Sequence, residues 1–262
     1  MIKTQIQVKA QISNKEIWRI ALPIMLGNMA QTIINFTDTA FLGHVGVIAL
    51  GASMLAGLFY LLFTTVAAGF AIGIQIIVAR RFGERNYGRI GVIFEHGSLF
   101  VLLLGSILFS ILYFFSDRLL LMLIDSPNLY EASVEYIKYR QFGILFVCFN
   151  YLYRALYVGI SNTKVITYST LIMAVVNILL DYCLIFGNLG FPQMGISGAA
   201  LASLSAELSA FIFFTAYSYI TLRKKEFGIF KAYRLESELM GRILKISTPT
   251  MVQKLFSFGV WF

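Results

Sequence analysis

The stretch LGASMLAGLFYLLFTTVAAGFAIGIQIIV, residues Leu50–Val78, decides the class of fold, because it runs 29 residues without a charged side chain. About 20 apolar residues carry a helix across the hydrocarbon of a bilayer. Within that hydrocarbon a helix satisfies every backbone donor and acceptor inside one segment, which an isolated strand cannot do. Comparable runs flank it at Ile17–Leu42, Val92–Phe115, Phe142–Ile160, Val165–Phe186, Ile196–Leu222 and Ile243–Phe262. The run at Phe142 is short, so its helix is predicted to begin in the polar-aromatic stretch from Tyr136. Over the whole chain 58% of residues are hydrophobic and 13% charged, with a mean hydropathy of +0.78. Soluble domains carry about 25% charged residues, so the fold class is an all-α polytopic membrane protein. The expected organisation is a six-helix amino-terminal lobe over residues 1–222, a connector over 223–242 and the start of a seventh transmembrane helix over 243–262.

The net charge of +8 would suit nucleic acid if the basic residues formed one surface. They fall instead into alternate loops. One set of segments holds Lys3, Lys9, Lys15, Arg19, Arg80, Arg81, Arg85, Arg89, Lys164, Arg223, Lys224, Lys225, Lys231, Arg234, Arg242 and Lys245, and the other holds Arg118. Such asymmetry is the positive-inside pattern. It places the amino terminus in the cytoplasm, implies a multi-pass protein of the inner (plasma) membrane, and removes the case for a nucleic-acid partner. The first 16 residues are polar and lead into an apolar run with no small-residue cleavage site, so no removable signal peptide is expected. Ser116–Tyr136 is predicted to be an outside loop. In it Leu119–Ile124 would lie at the interface, and Ser126-Pro127 would start a further helical turn. The last run stops at Phe262 with no polar flank or basic anchor, which predicts a fragment or truncated product.

Ionisable residues at membrane depth are costly and mark candidate functional sites. Asp38 falls near the outer end of the first helix, Asp181 in the outer half of the fifth and Glu207 near the middle of the sixth. Gln31 and Asn35 share the face of Asp38 by helical spacing, and Asn177 shares that of Asp181. A polar pocket between the two helices would let this pair exchange a proton or hold a small cation. Asp38 has the simpler alternative of lying at the interface, and Glu207 that of pairing with a basic neighbour. Lys254 lies midway along the seventh run, and Lys138, Arg140 and Arg154 belong to the fourth-helix region. Cys148 and Cys183 lie in separate apolar runs and are expected to pack as free thiols. His44, in a tight Gly-His-Val-Gly loop, and His96, beside Glu95, have no spaced partner and make a poor metal site. No zinc-protease, nucleophile-elbow, phosphate-loop or paired-cysteine motif occurs, so neither an enzyme nor a cofactor is expected. Gly69 and Gly73 have the spacing of a helix-packing motif.

Three stretches taken in order resemble the multidrug and toxic compound extrusion (MATE) family. Ala21-Leu-Pro-Ile-Met-Leu-Gly-Asn28 is followed by Asp38-Thr-Ala-Phe-Leu-Gly-His-Val-Gly46. Asn177-Ile-Leu-Leu-Asp181 leads to Gly195-Ile-Ser-Gly-Ala-Ala-Leu-Ala-Ser203, and Ser247-Thr-Pro249 opens the last helix. The resemblance covers the family's first half. It implies a twelve-helix transporter of two lobes around a cavity, exporting amphipathic, often cationic drugs by proton or sodium antiport. A carboxy-terminal lobe would then be missing here. The resemblance maps the coupling site onto Asp38, Asn177 and Asp181, with Asn35 beside them and Ser203 standing where many members have threonine. Gln31 and Glu207 become candidate cavity residues, and Pro23 matches the first-helix proline about which bending has been proposed. Members with a glutamate early in the seventh helix carry it where this chain has Ser257, which shifts coupling towards the aspartates. A lipid-linked saccharide flippase of the same superfamily and a nonfunctional membrane remnant are the alternatives.

Overall fold

The computed structural model describes residues 14–222, 227–231 and 234–259. Of the basic residues above, Lys3, Lys9, Arg223, Lys224 and Lys225 lie outside the described residues, as do residues 260–262 at the end of the seventh run. The described residues form eight α-helices in order: α1 Asn14–Val45, α2 Val47–Gly83, α3 Tyr87–Leu123, α4 Pro127–Arg140, α5 Ile144–Gly159, α6 Lys164–Phe186, α7 Ile196–Thr221 and α8 Ser237–Gly259. There is no strand among the described residues. Among the described residues six segments are long and apolar enough to cross a membrane: α1, α2, α3, α4 with α5, α6 and α7. The protein is therefore a multi-pass membrane protein. The run expected to begin a seventh crossing starts earlier, at Ser237, and its charges Glu238, Arg242, Lys245 and Lys254 dilute its hydropathy.

The fourth crossing is longer than its apolar core. Pro127 opens α4, where its missing N–H costs nothing because first-turn donors have no intrahelical partner. A short 3₁₀ turn at Gln141–Gly143 then passes the chain into α5. The start predicted at Tyr136 is thus corrected to Pro127. The predicted interfacial helix at Leu119–Ile124 is corrected too. With no breaker between Phe115 and Leu123, α3 continues unbroken, and Leu120 and Ser116 pack inward while Leu121, Met122 and Leu123 point out. The supposed Gly-His-Val-Gly loop is mostly helix: α1 runs through His44, whose Nδ1 lies 2.7 Å from the Ala40 carbonyl oxygen. A single residue, Gly46 at φ 150° and ψ 165°, separates α1 from α2. A side chain is disfavoured there, which is why glycine holds the joint.

Core packing centres on α2, which runs against α3, α4, α5 and α8, while α6 bridges α1 and α7. Lipid supplies no hydrophobic drive between helices, so close backbone approach matters more than side-chain volume. Gly69 and Gly73 meet α8, and a Cβ added at Gly73 would stand 2.7 Å from the Ser247 Cα. The Thr250 hydroxyl donates to the Gly69 carbonyl at 2.7 Å across the same seam. The two glycines therefore pack helices, as their spacing predicted. Cys148 and Cys183 are buried free thiols, also as expected. On α1 the apolar side chains Trp18, Met29, Ile33 and Phe36 face outward.

At the end of the bundle that carries the basic turns, residues 227–231 and 234–236 fold against the start of α3. Gly91 leaves room for the Phe227 and Gly228 backbone. Glu95 accepts the Phe230 N–H at 2.8 Å, and Arg89 makes a forked ion pair with Glu236 at 2.7 and 3.0 Å. The buried His96 completes this contact: its Nδ1 lies 2.8 Å from the Val92 carbonyl oxygen, leaving Nε2 to accept the Glu236 N–H at 2.9 Å. Arg89 holds the Glu236 carboxyl below the usual glutamate range, as Arg80 and Arg81 do for Glu84. A depressed carboxyl stabilises the docked state at neutral pH, and this contribution fades as pH falls through the lowered value.

His96→Ala is expected to speed amide hydrogen exchange over residues 227–231 and 234–236 by roughly five-fold, the loss of one net hydrogen bond, leaving α5 protected. Gly73→Leu should lower stability in detergent by about 1–3 kcal/mol through overpacking of the α2–α8 seam, read as a drop in unfolding temperature.

Candidate functional site

Helix register brings the two aspartates to one depth. The hydroxyls of Thr163, just before α6, and Thr167, within it, donate to the Ile20 and Pro23 carbonyls of α1 at 3.1 and 2.6 Å, which fixes how the two helices run side by side. Asp38 lies 15 residues beyond Pro23 and Asp181 lies 14 beyond Thr167. At 1.5 Å per residue both stand about 21–23 Å further along. Their side chains meet there, with Asn177 beside them. Asp181 and Asn177 have no solvent exposure. Five buried polar atoms of this cluster, Asp38 Oδ1, both Asp181 carboxylate oxygens and both Asn177 amide atoms, have no hydrogen-bond partner. A buried acceptor without a donor costs its full desolvation, and two facing carboxylates repel unless a proton or cation lies between them. Three oxygen-bearing side chains suit either a shared proton or a small hard cation.

In front of the cluster opens a cavity of about 850 Å³ between α1, α2, α4, α5, α6 and α7. Asp38, Asn35 and Gln31 line it from α1, as their common face predicted. Gln31 donates to the Asn35 side-chain oxygen at 3.3 Å. Asp181 and Asn177 are not on the cavity surface but behind Asp38. Ser203 is half-buried on α7 and stands outside the cavity lining, which α7 supplies through Ala199 and Glu207. Pro23 lies inside a continuous α1, with its carbonyl taken by Thr167. Lys254 is exposed on α8.

Glu207 faces the cavity and also pairs with a basic residue, so both of its expected environments hold. The Arg140 guanidinium makes a bidentate pair with its carboxylate, Nη1 standing 2.6 Å from Oε2 and Nη2 closing on Oε1. Side-chain exposure of Arg140 and Glu207 is 12% and 10%, so water screens the pair little. The guanidinium also lies over the Tyr60 ring, 4.1 Å from its centre. Asn150 donates to the Glu207 main-chain carbonyl at 3.0 Å. Gly143 leaves the space this pair occupies. Sequence reasoning named Arg140 and Arg154 by their region alone and left the partner of Glu207 open, and it missed Tyr60, Tyr136 and Asn150 in the cavity wall. The usable signal was that a buried acid needs a cation, with Lys138, Arg140 and Arg154 the nearest choices.

Membrane-spanning helices that enclose a cavity with Asp38 and Glu207 in its wall define a polytopic helical membrane protein with an internal polar site. Residues 23–183 match the MatE family model, and the chain belongs to that family. Among its relatives is a probable multidrug resistance protein NorM of Agrobacterium fabrum, 28% identical over 89% of this chain and 50% of the relative. A probable NorM of Thermotoga maritima is 28% identical over 94% of this chain and 53% of its own length. The chain thus spans about half the length of the curated relatives it matches. Two solved structures, an outward-facing multidrug resistance MATE family transporter of the MOP superfamily and a MATE in the bent conformation, each superpose with a TM-score of 0.81. Both are 25% identical, covering 92% of this chain and 52% and 53% of theirs.

Glu207→Gln is expected to destabilise the protein by about 3–5 kcal/mol, because it strands the Arg140 charge. Replacing both residues together with Arg140→Met should recover most of that loss in thermal unfolding.

Proposed function

We propose that this chain forms one lobe of a secondary active multidrug antiporter, in which Asp38, Asn177 and Asp181 carry the coupling ion. The observation that carries this reading is the set of five unpaired buried atoms on those three side chains behind the cavity wall. A proton shared by the two carboxyls, or a sodium ion among the three oxygens, would supply what they lack. Family membership and the names of the relatives support the transport half of the reading. No cofactor enters it. In this reading the end with the basic turns faces the cytoplasm of a plasma-membrane protein, and a second lobe closes the other side of the cavity. Amphipathic, often cationic drugs occupy the cavity. The ion and the drug exclude one another because Asp38 belongs to both the ion cluster and the cavity wall.

The energetics suffice. One charge moved inward yields about 2.3 kcal/mol per 100 mV, and one pH unit about 1.4 kcal/mol, each enough for at least ten-fold drug accumulation.

In the full-length protein, Asp181→Asn should reduce gradient-driven drug efflux from vesicles by at least about ten-fold, the worth of one lost pH-unit coupling. Proton and sodium gradients imposed separately would identify the ion. Unchanged efflux in the Asp181→Asn protein would sink the coupling assignment.

A further inference from the structure

Four charged side chains line the cavity: Asp38, Arg140, Arg154 and Glu207. Asp38 belongs to the ion cluster, and Arg140 and Glu207 neutralise one another. Arg154 is different. Among the described residues no carboxylate stands within ion-pair distance of it, and its side chain makes no hydrogen bond to another described residue. A guanidinium stays charged in any protein environment and offers five donors in a plane. At membrane depth such a group calls for an anion.

Its position sets what that anion belongs to. Arg154 is five residues from the end of α5 and Asp181 is 17 from the start of α6, both helix ends lying at the basic side of the bundle. By helical rise the guanidinium is on the order of 15 Å nearer that side than the aspartates. Tyr151 lies near it, and the same cavity lining includes Asn150, Thr64 and Met173. An aromatic ring, a thioether, an amide and a hydroxyl form the mixed surface that holds small organic molecules.

We propose that Arg154 is a specificity-determining residue that binds a carboxylate on the transported molecule, so that this cavity prefers amphiphiles bearing an acid group over purely cationic ones. The inference rests on the transport reading and deepens it by naming a substrate class. A carboxylate matches the guanidinium in two parallel charge-assisted hydrogen bonds, whereas its methyl ester keeps the shape and loses the charge.

The test uses a carboxylate rhodamine and its methyl ester, bound to the full-length protein in detergent free of anionic lipid and read by fluorescence anisotropy. The wild type should bind the acid at least about ten-fold more tightly than the ester, a modest value for a charge-assisted pair. Arg154→Gln should bring the acid and ester affinities together, and Arg154→Lys should retain part of the preference as a point charge. A wild type with no preference for the acid overturns the proposal without reference to any variant. It would mean that an acid from the protein itself, or the aqueous boundary, already satisfies Arg154. A preference that survives Arg154→Gln overturns it as well. Gradient-driven efflux of the ester from vesicles is measured alongside. Its loss with the acid preference intact would count against the antiport reading alone.

Discussion

The bidentate pair of Arg140 with Glu207 is the contact on which the interior arrangement turns. It joins the junction of α4 and α5 to the middle of α7 across the inner wall of the cavity. Removing either partner would leave a full charge in a medium that solvates it poorly, so the geometry of three helices is bound to one ion pair. The surrounding groups make sense as support. Tyr60 offers its ring to the guanidinium, Asn150 holds the α7 backbone at Glu207, and Gly143 leaves the room. The pair also cancels charge locally, so the cavity's electrostatic character is set by Asp38 on one side and Arg154 on the other.

Much of the fold was legible because hydropathy in a membrane protein is read one helix at a time. The run from Leu50 to Val78 needed no knowledge of its neighbours, and neither did the seam at Gly69 and Gly73. The errors fell where polar residues lie within a crossing. Ser116, Asp117 and Arg118 read as a loop, yet the helical backbone passes through them without a breaker. The polar start of α4 hid nine residues of helix between Pro127 and Tyr136.

The site was legible in part for a related reason. Spacing along one helix put Gln31, Asn35 and Asp38 on a face, and Asn177 with Asp181 on another, because such pairs are local. Contacts between helices carry no such signature. Arg140 and Glu207 are separated by 67 residues, and only packing reveals that they meet. Ser203, four residues from both Ala199 and Glu207, has the spacing of a cavity residue but is not part of the lining, since spacing along a helix does not fix how deep the cavity reaches at each turn.

The joint at Gly46 sets the kinematics of the first helix. With one residue between α1 and α2, the two cannot slide past one another, because there is no slack to take up. The remaining way for α1 to move against α2 is a tilt at that residue. Across 32 residues of α1, a lever of about 48 Å by helical rise, a tilt of about ten degrees at Gly46 sweeps the far end through roughly 8 Å. Asp38, only eight residues from the pivot, would move about 2 Å. The start of α6 opposes such a swing, because Thr163 and Thr167 hold the Ile20 and Pro23 carbonyls near the far end, so the joint at Gly46 and these two hydroxyls together keep Asp38 beside Asp181.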